Sequence, residues 1–442
     1  MSQARPAKGT RDFAAADVMR RRHVVGVLQR VFERYGFAPL ETPSFENLDT
    51  LMGKYGEEGD RLIFKILRSG DFMKSVADPS QPKASELTDK ALRYDLTVPF
   101  ARYVAQNAGQ LAMPFRRYQI QPVWRADNPQ KGRFREFYQC DADVVGTSSL
   151  WQEVELVAMY HHAFAELGLD VVVRVNHRGL LAGIAEVAGL GDRLIDFTVA
   201  LDKLDKIGPD GVRAEWRERG FTDAQCAALE PALQPMGDLN DTLDRMAAWL
   251  SESAAGSAAV EELRWLVARA RATGRLELDV TLARGLNYYT GCIFEVQALG
   301  VAMGSVGGGG RYDNLTGIFG VPGLSGVGIS FGLDRIVLCL EELGLLPELA
   351  SGPQAMVFQF SEAESDFAFH VAEALRAAGV RTVLYPEPAK IKKQFDYAEK
   401  IGAGYAVMAG AQEQVTQSIQ VKNLRSGEQL SVALADLAGF AW

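Results

Sequence analysis

One run of polar and aromatic residues has the spacing of a binding surface. Alternate side chains of a strand point to one face of its sheet, and the intervening positions between 133 and 144 are mostly apolar. The pattern predicts a sheet that packs its apolar face on helices. A solvated face is the alternative, but such faces seldom order cations at one end and carboxylates at the other, so we favour a ligand-binding floor. The residues predicted on that face are Arg133, Arg135, Phe137, Gln139, Asp141 and Asp143.

Two further arginines occupy positions where a charge is unfavourable without an anion. Arg284 stands between apolar residues and a glycine, close to Tyr288 and Tyr289. Arg335 falls in the first turn of a predicted helix, where it opposes the helix dipole; a surface salt bridge is the alternative to a phosphate contact. The sequence lacks a Ser-His-Asp, Cys-His or paired-carboxylate pattern. It therefore predicts that arginines position and neutralise phosphate, without nucleophilic attack by a side chain.

Two glycine clusters do not fit the known phosphate-binding loops. The segment GSVGGGGRYD (304–313) lacks the Lys-Ser/Thr ending of a P-loop, and GVGISFG (326–332) lacks the later acidic residue of a dinucleotide site. We predict instead that Gly308, Gly309 and Gly328 lie in strands and leave room for a ligand against the sheet.

Metal and redox chemistry have little support in the sequence. Four cysteines lie far apart, which suits a reducing compartment, and no histidine has metal-ligand spacing to them. The pair His161–His162 has no accompanying carboxylate or cysteine cluster, so we interpret it as a helix-surface pair. We expect no resident metal.

Composition limits the class of protein. With 442 residues and about 150 residues per domain, the chain predicts two or three domains. It has 48% hydrophobic and 23% charged residues, which is typical of globular proteins, and we expect a soluble intracellular protein without a signal sequence or membrane span. The net charge of −9 argues against general affinity for polyanions, although residues 1–34 and 113–140 are locally basic.

The elements that must position these residues follow from hydrophobic periodicity and turn signals. A β-hairpin is predicted from runs 117–124 and 133–144. The other predictions are a helix over 14–35, extended chain at 37–49 and 62–67, a helix from a hydroxyl cap at Thr97, a helical insertion at about 179–275, a strand-like run at 276–297, a helix over 333–343, a linker at 344–353 and alternating strands and helices over 354–442, with one helix capped by Ser361.

Several motifs, in order, resemble those of histidyl-tRNA synthetases, which are class II aminoacyl-tRNA synthetases. They are KGTRDF, LRYDLTVPFARY, the hairpin RYQIQPVWRADNPQKGRFREFYQCDADVVG, LARGLNYYTG, GGGGRYDNL and GISFGLDRI. The wording LRYDLT and REFYQCD is closer to the eukaryotic-type branch. The resemblance covers essentially the whole chain and implies an α+β catalytic domain over 1–343, an antiparallel sheet flanked by helices and interrupted by the insertion. It also implies an α/β anticodon-binding domain over 354–442, a homodimer and a cytoplasmic location.

The same resemblance implies an activity and residue roles. Histidine and ATP form histidyl-adenylate and pyrophosphate, Mg²⁺ arrives with ATP, and histidine passes to the 3′ end of its tRNA. The implied histidine site holds the α-ammonium group with Asp95, Thr97 and Gln139 and the imidazole with Asp143 and Tyr289, and it also includes Leu96, Tyr288 and Tyr312. The implied catalytic arginines are Arg125 and Arg284 at the α-phosphate, and the other ATP contacts are Asp127, Arg133, Phe137 and Arg335.

The sequence departs from the family pattern at two positions, and two alternative functions remain open. Asp127 and Asp143 stand where relatives commonly have glutamate, which shortens the reach of each carboxylate. A catalytically silent, histidine-sensing paralogue resembling the ATP phosphoribosyltransferase regulatory subunit is the second reading, although such paralogues typically lack the C-terminal domain and the equivalent of Arg284. A class II synthetase for another amino acid is the third. For tRNA binding we single out Lys392 and Lys393, against the alternative of a solvated helix face.

Overall fold

A computed structural model describes residues 4–191, 193–234, 237–283, 288–349 and 351–442. The chain divides into two compact units. One comprises the residues up to Asp12 with Arg21–Leu345, and the other comprises Phe13–Arg20 with Leu346–Trp442. Within the described ranges, no helix is long and apolar enough to cross a membrane.

The elements before Leu345 alternate between short strands and helices. In chain order they are α1 (Ala15–Arg34), β1 (Ala38–Pro39), β2 (Phe45–Asn47), α2 (Leu48–Leu51), α3 (Gly56–Leu62), β3 (Lys65–Leu67), α4 (Ala84–Leu87), β4 (Thr88–Leu92), α5 (Thr97–Asn107), β5 (Phe115–Trp124), β6 (Glu136–Val145), α6 (Trp151–Glu166), β7 (Val171–His177), α7 (Arg178–Val187), α8 (Leu194–Leu201), α9 (Leu204–Glu218), α10 (Asp223–Leu229), α11 (Leu239–Trp249), α12 (Ala254–Ala270), β8 (Leu276–Leu278), β9 (Cys292–Ala298), β10 (Gly307–Tyr312), β11 (Gly326–Gly332) and α13 (Leu333–Glu342).

An eight-stranded sheet forms the centre of this unit, in the order β1-β5-β6-β11-β10-β9-β7-β8. The six inner strands pair antiparallel, as predicted, but the outermost pairs β1–β5 and β7–β8 are parallel. The sheet is therefore mixed: it is antiparallel over its six inner strands and has one parallel pair at each edge. A smaller sheet has the order β2-β4-β3.

One face of the large sheet is apolar and covered by helices. Phe331 on β11 lies with its ring 5.6 Å from that of Phe32 on α1 and 4.8 Å from that of Tyr160 on α6. Cys140 and Ala142 on β6 are fully buried. This packing leaves the opposite face of β6 and β11 for polar side chains.

The polar row on β6 is shorter than predicted. The strand begins at Glu136, so Arg133 and Arg135 precede it and do not follow its alternation. Gly132 has a φ of +71°, and residue 133 closes a turn with Gln130 by an isolated bridge. A turn that needs a left-handed residue ends strand pairing there. The period-two assignment therefore holds for Phe137 through Asp143 and was wrong for the two arginines.

The start of α5 also differs from the prediction. Thr97 is the first helical residue and not the cap. The carboxylate of Asp95 accepts the backbone N–H of Val98 at 3.2 Å, a bond that the predicted hydroxyl cap would have made. Asp95 is thereby fixed by the helix that follows it.

Other predictions from periodicity are confirmed. Helices α1 and α13 lie where predicted, and helices α7–α12 occupy the insertion. The run 276–297 contains two strands, β8 and β9, and not one continuous strand.

The second unit has its own five-stranded sheet, in the order β13-β12-β14-β15-β16. Ser361 caps α14 by accepting the N–H of Ala363, as the sequence predicts. The core contains Val357, Val371 and Val407. Its elements are β12 (Ala355–Phe358), α14 (Glu362–Ala377), β13 (Thr382–Leu384), α15 (Ile391–Lys400), β14 (Tyr405–Met408), α16 (Ala411–Thr416), β15 (Ser418–Asn423) and β16 (Gln429–Ala433).

Candidate active site

A row of paired residues crosses the polar face of the large sheet. Arg117 on β5 is paired with Asp143 on β6, Asp143 with Gly328 on β11, and Gly328 with Gly310 on β10. A Cβ at Gly328 would collide with the Asp143 carboxylate, and a Cβ at Gly310 would lie 2.9 Å from the ring of Tyr289. The glycines therefore allow polar side chains to lie flat against the backbone, and at Gly328 the space that we predicted for a ligand is occupied by the Asp143 carboxylate.

A cavity of about 300 Å³ opens on this face. Its lining includes residues from the β5–β6 hairpin, β9, β10, β11 and the start of α13. The predicted site residues that it brings together are Arg125, Asp127, Arg133, Phe137, Gln139, Tyr289 and Arg335.

Three arginines surround one part of the cavity. Arg335 is fixed by bonds from its Nε to the Gly132 carbonyl at 2.8 Å and from Nη1 to the Ser305 carbonyl at 2.6 Å. Arg125 donates from Nε to the Tyr94 carbonyl at 3.0 Å. Burial lowers the pKa of Arg335, and the positive charges of Arg133 and Arg125 lower it further. Three cations that converge closely enough for two of them to lower the pKa of Arg335 favour a bound anion.

Aromatic and acidic groups complete this part. The guanidinium of Arg125 lies 5.3 Å from the centre of the Phe137 ring. Arg133 is ion-paired with Asp127 at 3.6 Å and is half exposed. The site thus has a flat apolar ring beside cations, which suits a nucleotide.

Sequence reasoning missed an ionic clamp behind this part of the cavity. The carboxylate of Asp334, in the first turn of α13, accepts the backbone N–H of Tyr138 at 3.1 Å and pairs with both Arg11 and Arg21. It joins the N-terminal segment, β6 and α13 beside Arg335. The KGTRDF motif contained Arg11, but more than 300 positions separate it from its partner.

The buried side of the site begins at Asp95. This residue is 1% exposed, and its carboxylate accepts the Tyr55 hydroxyl at 2.8 Å and the Tyr288 hydroxyl at 2.9 Å. Burial raises the pKa of Asp95, although these hydrogen bonds oppose the rise. Its neighbour Leu96 is fully buried.

Asp143 forms a second buried polar centre. Its Oδ1 accepts the Tyr312 hydroxyl at 2.6 Å, and its Oδ2 is ion-paired with Nη2 of Arg117 at 2.9 Å. Burial raises the pKa of Asp143, whereas Arg117 lowers it. The pKa of neighbouring Asp141 rises to about 7, chiefly through burial. Sequence reasoning missed Arg117, because only the register of β5 against β6 places it beside Asp143.

Gln139 and Tyr289 connect the buried centres to the cavity. Nε2 of Gln139 donates to Ser330 Oγ at 3.0 Å, and its buried Oε1 has no hydrogen-bond partner among the described residues. The ring of Tyr289 lies 5.0 Å from that of Tyr288. The residues predicted to bind histidine that lie outside the cavity lining are Asp95, Leu96, Thr97, Asp143, Tyr288 and Tyr312.

The remaining predicted residues lie elsewhere. Arg284 falls in 284–287, outside the described residues. Lys392 and Lys393 are on α15 of the second unit, where Lys393 is ion-paired with Glu387 at 3.2 Å. All four cysteines are free and buried, and the described part of the chain contains no group of three or more His, Cys, Asp or Glu side chains suited to a metal.

The mixed sheet with its arginine-lined cavity, followed by an α/β unit, defines an aminoacyl-tRNA synthetase of class II. Residues 9–336 match the histidyl-tRNA synthetase family, and residues 354–441 match the anticodon-binding domain family. The chain belongs to the histidyl-tRNA synthetase family.

Individual relatives agree with this assignment. The chain is 52% identical to the histidine–tRNA ligase of Flavobacterium johnsoniae, over 96% of each chain. It is 51% identical to that of Christiangramia forsetii, over 98% of each. The crystal structure of histidyl-tRNA synthetase from Nostoc sp. PCC 7120 superposes with a TM-score of 0.81 at 32% identity, covering 99% of this chain and 98% of that one.

A more distant similarity bears on the second reading. A structure from Bacillus halodurans, described as an ATP phosphoribosyltransferase regulatory subunit/histidyl-tRNA synthetase, has a TM-score of 0.74, covers 92% of this chain and all of its own, and is 21% identical. At that identity the likeness concerns the fold alone. The predicted family, fold class and ligase function are confirmed by the comparisons, and the silent-paralogue reading is not supported.

Proposed function

We propose that this protein activates histidine with ATP and transfers it to the 3′ end of its cognate tRNA. The observation that carries the proposal is the single cavity that joins Arg125, Arg133 and Arg335 to Gln139 and Tyr289 on one face of the sheet. Phosphate-binding cations and amino-acid-binding groups must share one cavity if adenylate is to form.

In the first step, a carboxylate oxygen of histidine attacks the α-phosphorus of ATP, and the bond to the bridging oxygen breaks to release pyrophosphate. Arg125, together with Arg284, neutralises the α-phosphate, Arg133 contacts the outer phosphates, and Arg335 contacts the nucleotide. The adenine ring stacks on Phe137. These groups act by position and charge, since the attacking carboxylate is already ionised.

Histidine lies toward the buried side of the site. Its α-ammonium group donates to Asp95, Thr97 and Gln139; the free Oε1 of Gln139 is a suitable acceptor. Its imidazole lies between Asp143 and Tyr289, so that both ring nitrogens find partners. A pocket of this kind rejects apolar amino acids because its own polar groups would be left unpaired.

Leu96, Tyr288 and Tyr312 support these contacts. Tyr288 and Tyr312 hold the carboxylates of Asp95 and Asp143 through their hydroxyls. Leu96 closes the apolar wall between Asp95 and Thr97. The three residues therefore fix the pocket's shape.

In the second step, a terminal ribose hydroxyl of the tRNA attacks the histidyl carbonyl and AMP leaves. The second unit binds the anticodon arm through a surface that includes Lys392 and Lys393.

Magnesium enters with ATP, and the chain offers little of its own to hold it. The described residues contain no cluster of three ligand side chains, but Glu295 and Asp127 both line the cavity. One or two carboxylates with phosphate oxygens form the donor set that Mg²⁺ prefers, and the ion would neutralise the departing pyrophosphate.

We also propose a cytoplasmic homodimer. Free, buried thiols suit a reducing compartment. Light scattering tests the assembly: a mass near twice the 48.3 kDa of one chain supports the dimer, and a mass equal to one chain contradicts it.

The deciding experiment is ATP–pyrophosphate exchange run separately with each of the twenty amino acids. We expect exchange with histidine alone, followed by charging of the histidine tRNA. Exchange with another amino acid would place the protein elsewhere in class II. Histidine binding without exchange would remove the catalytic roles assigned to Arg125 and Arg284.

A further inference from the structure

A fully buried arginine stands beside two buried carboxylates on the site face of the sheet. Arg117 on β5 is paired in register with Asp143 on β6, and Asp141 is the next residue of β6 on the same face. All three are at most 2% exposed. The positive charge of Arg117 lowers the pKa of both carboxyl groups, so the three side chains interact electrostatically as one unit.

The hydrogen bonds in this unit are incomplete and uneven. Nη2 of Arg117 contacts Oδ2 of Asp143 at 2.9 Å and the Leu96 carbonyl at 3.3 Å, whereas its Nε and Nη1 have no partner among the described residues. Oδ1 of Asp141 and Oδ2 of Asp143 are both buried without a hydrogen-bond partner among the described residues, so the contact of Oδ2 with Arg117 is an ion pair alone. Of the two carboxylates, Asp143 is the one ion-paired with Arg117.

We propose that Arg117 is a positioning residue for substrate selection: its ion pair orients Asp143 and keeps it ionised to accept an N–H of the imidazole. The inference rests on the proposed function, since it takes Asp143 as the imidazole partner. It adds Arg117, which does not contact the substrate in this scheme, to the determinants of selectivity.

The geometry explains why one arginine is enough to orient Asp143. Tyr312 binds Oδ1 and Arg117 binds Oδ2, so rotation of the carboxylate would break both contacts. A carboxylate has about four acceptor positions, so free lone pairs remain for the ligand. Gly328 leaves the space beside Oδ1 without a side chain.

Other charged or titratable groups face the two carboxylates. Asp95, which precedes α5, raises the pKa of both, and Ser330 on β11 donates to Asp141 and lowers its pKa. The charge of Asp141 or Asp143 also raises the pKa of five further groups, which are Arg93, Cys140, Tyr160, Tyr289 and Tyr312. Of the groups named, Arg117 is the cation paired directly with Asp143.

The test compares Arg117→Met and Asp141→Asn in the full-length protein, with histidine-dependent exchange and histidine binding measured from pH 5 to 9. Removing the cation raises the pKa of Asp143, so the acid limb of kcat/KM for histidine moves to higher pH. Burial raises the pKa of Asp141 to about 7, so below that pH its side chain is mostly protonated, and the neutral isostere Asp141→Asn leaves the acid limb in place. Free histidine titrates identically in every assay, so differences between variants belong to the protein.

We expect Arg117→Met to raise the KM for histidine about tenfold for each pH unit by which the limb moves, with the KM for ATP changed less than about twofold. Arg116→Met is the matched control, because Arg116 points to the other face and pairs with Glu155 at 2.7 Å. If kcat/KM for histidine fell by the same factor at every pH and the acid limb did not move, Arg117 would have a structural role only, and the proposal would be overturned.

Two outcomes keep this inference separate from the proposed function. If Arg117→Met does not fold, Arg117→Lys still decides: it keeps the charge but loses the planar guanidinium, so we expect a raised KM for histidine with the limb in place, and an unchanged KM contradicts the positioning role. If the wild-type protein binds histidine but shows no exchange, and the pH dependence of binding shifts in the variants as expected, the proposed function fails while the positioning role stands.

Discussion

Asp143 lies directly opposite Gly328 on the neighbouring strand, and its carboxylate occupies the space that a side chain at residue 328 would need. An alanine there must push Asp143 away from Arg117 or spread β6 from β11. The strand pairing and the proposed histidine pocket therefore depend on the same missing Cβ.

We expect Gly328→Ala to raise the KM for histidine at least about tenfold and to lower stability by roughly 1–3 kcal/mol through overpacking. Exchange kinetics and urea unfolding measure the two effects. Gly109→Ala is the control, because a Cβ at Gly109 meets no atom within 4 Å. Normal histidine kinetics in the Gly328 variant would contradict the packing argument.

Arg125→Ala removes a cation from the proposed α-phosphate site. We expect the rate of adenylate formation to fall roughly 10²–10³-fold, the usual loss for one preorganised charge-stabilising donor. Histidine binding, measured by calorimetry, changes little because Arg125 is not among the proposed histidine contacts. We expect the same pattern for Arg284→Ala, and near-normal turnover in either variant would remove its assigned role.

The clamp at Asp334 offers a test of positioning on the nucleotide side. Asp334→Ala leaves Arg11 and Arg21 without their shared carboxylate, and breaking a buried pair costs roughly 3–5 kcal/mol. We expect lower stability in thermal unfolding and a larger rise in the KM for ATP than in that for histidine. Glu342→Gln on the same helix is the control, since it disturbs only an exposed pair with Lys131. Equal effects on both substrates would argue against a specific link to Arg335.

Lys392 and Lys393 are tested by their joint replacement with alanine. We expect weaker tRNA binding and a salt-dependence slope lower by about 1.4, because each lost phosphate contact removes roughly 0.7 from the slope for single-stranded nucleic acid. Histidine-dependent exchange needs no tRNA and serves as the internal control. Unchanged tRNA affinity and slope would return these lysines to an ordinary solvated helix face.

Local patterns predicted a large part of the fold. Periodicity located α1, α13 and the helical insertion, and alternation placed Phe137, Gln139, Asp141 and Asp143 on one face, because these signals depend on neighbours along the chain. Arg133 lines the cavity as predicted but precedes the strand, because alternation does not mark where a strand begins and the turn at Gly132 delays the start of β6 to Glu136.

The parts of the site that escaped prediction are pairs made by tertiary contact. Arg117 meets Asp143 through the register of a hairpin, and Arg11 meets Asp334 across most of the chain. Hydrophobic periodicity predicts neither the register of paired strands nor the contacts between distant segments of the chain. The same holds for the parallel edge pairs of the sheet.

Strand β10 begins with four consecutive glycines, so the middle of the sheet contributes backbone but almost no side-chain bulk to either surface. On the site face, a bound substrate would supply the missing layer of packed atoms above Gly308, which lines the cavity. The ligand then becomes part of the interior of the folded protein. Saturation with histidyl-adenylate or a stable analogue at 100 times its Kd should therefore add about 2.7 kcal/mol to the free energy of unfolding.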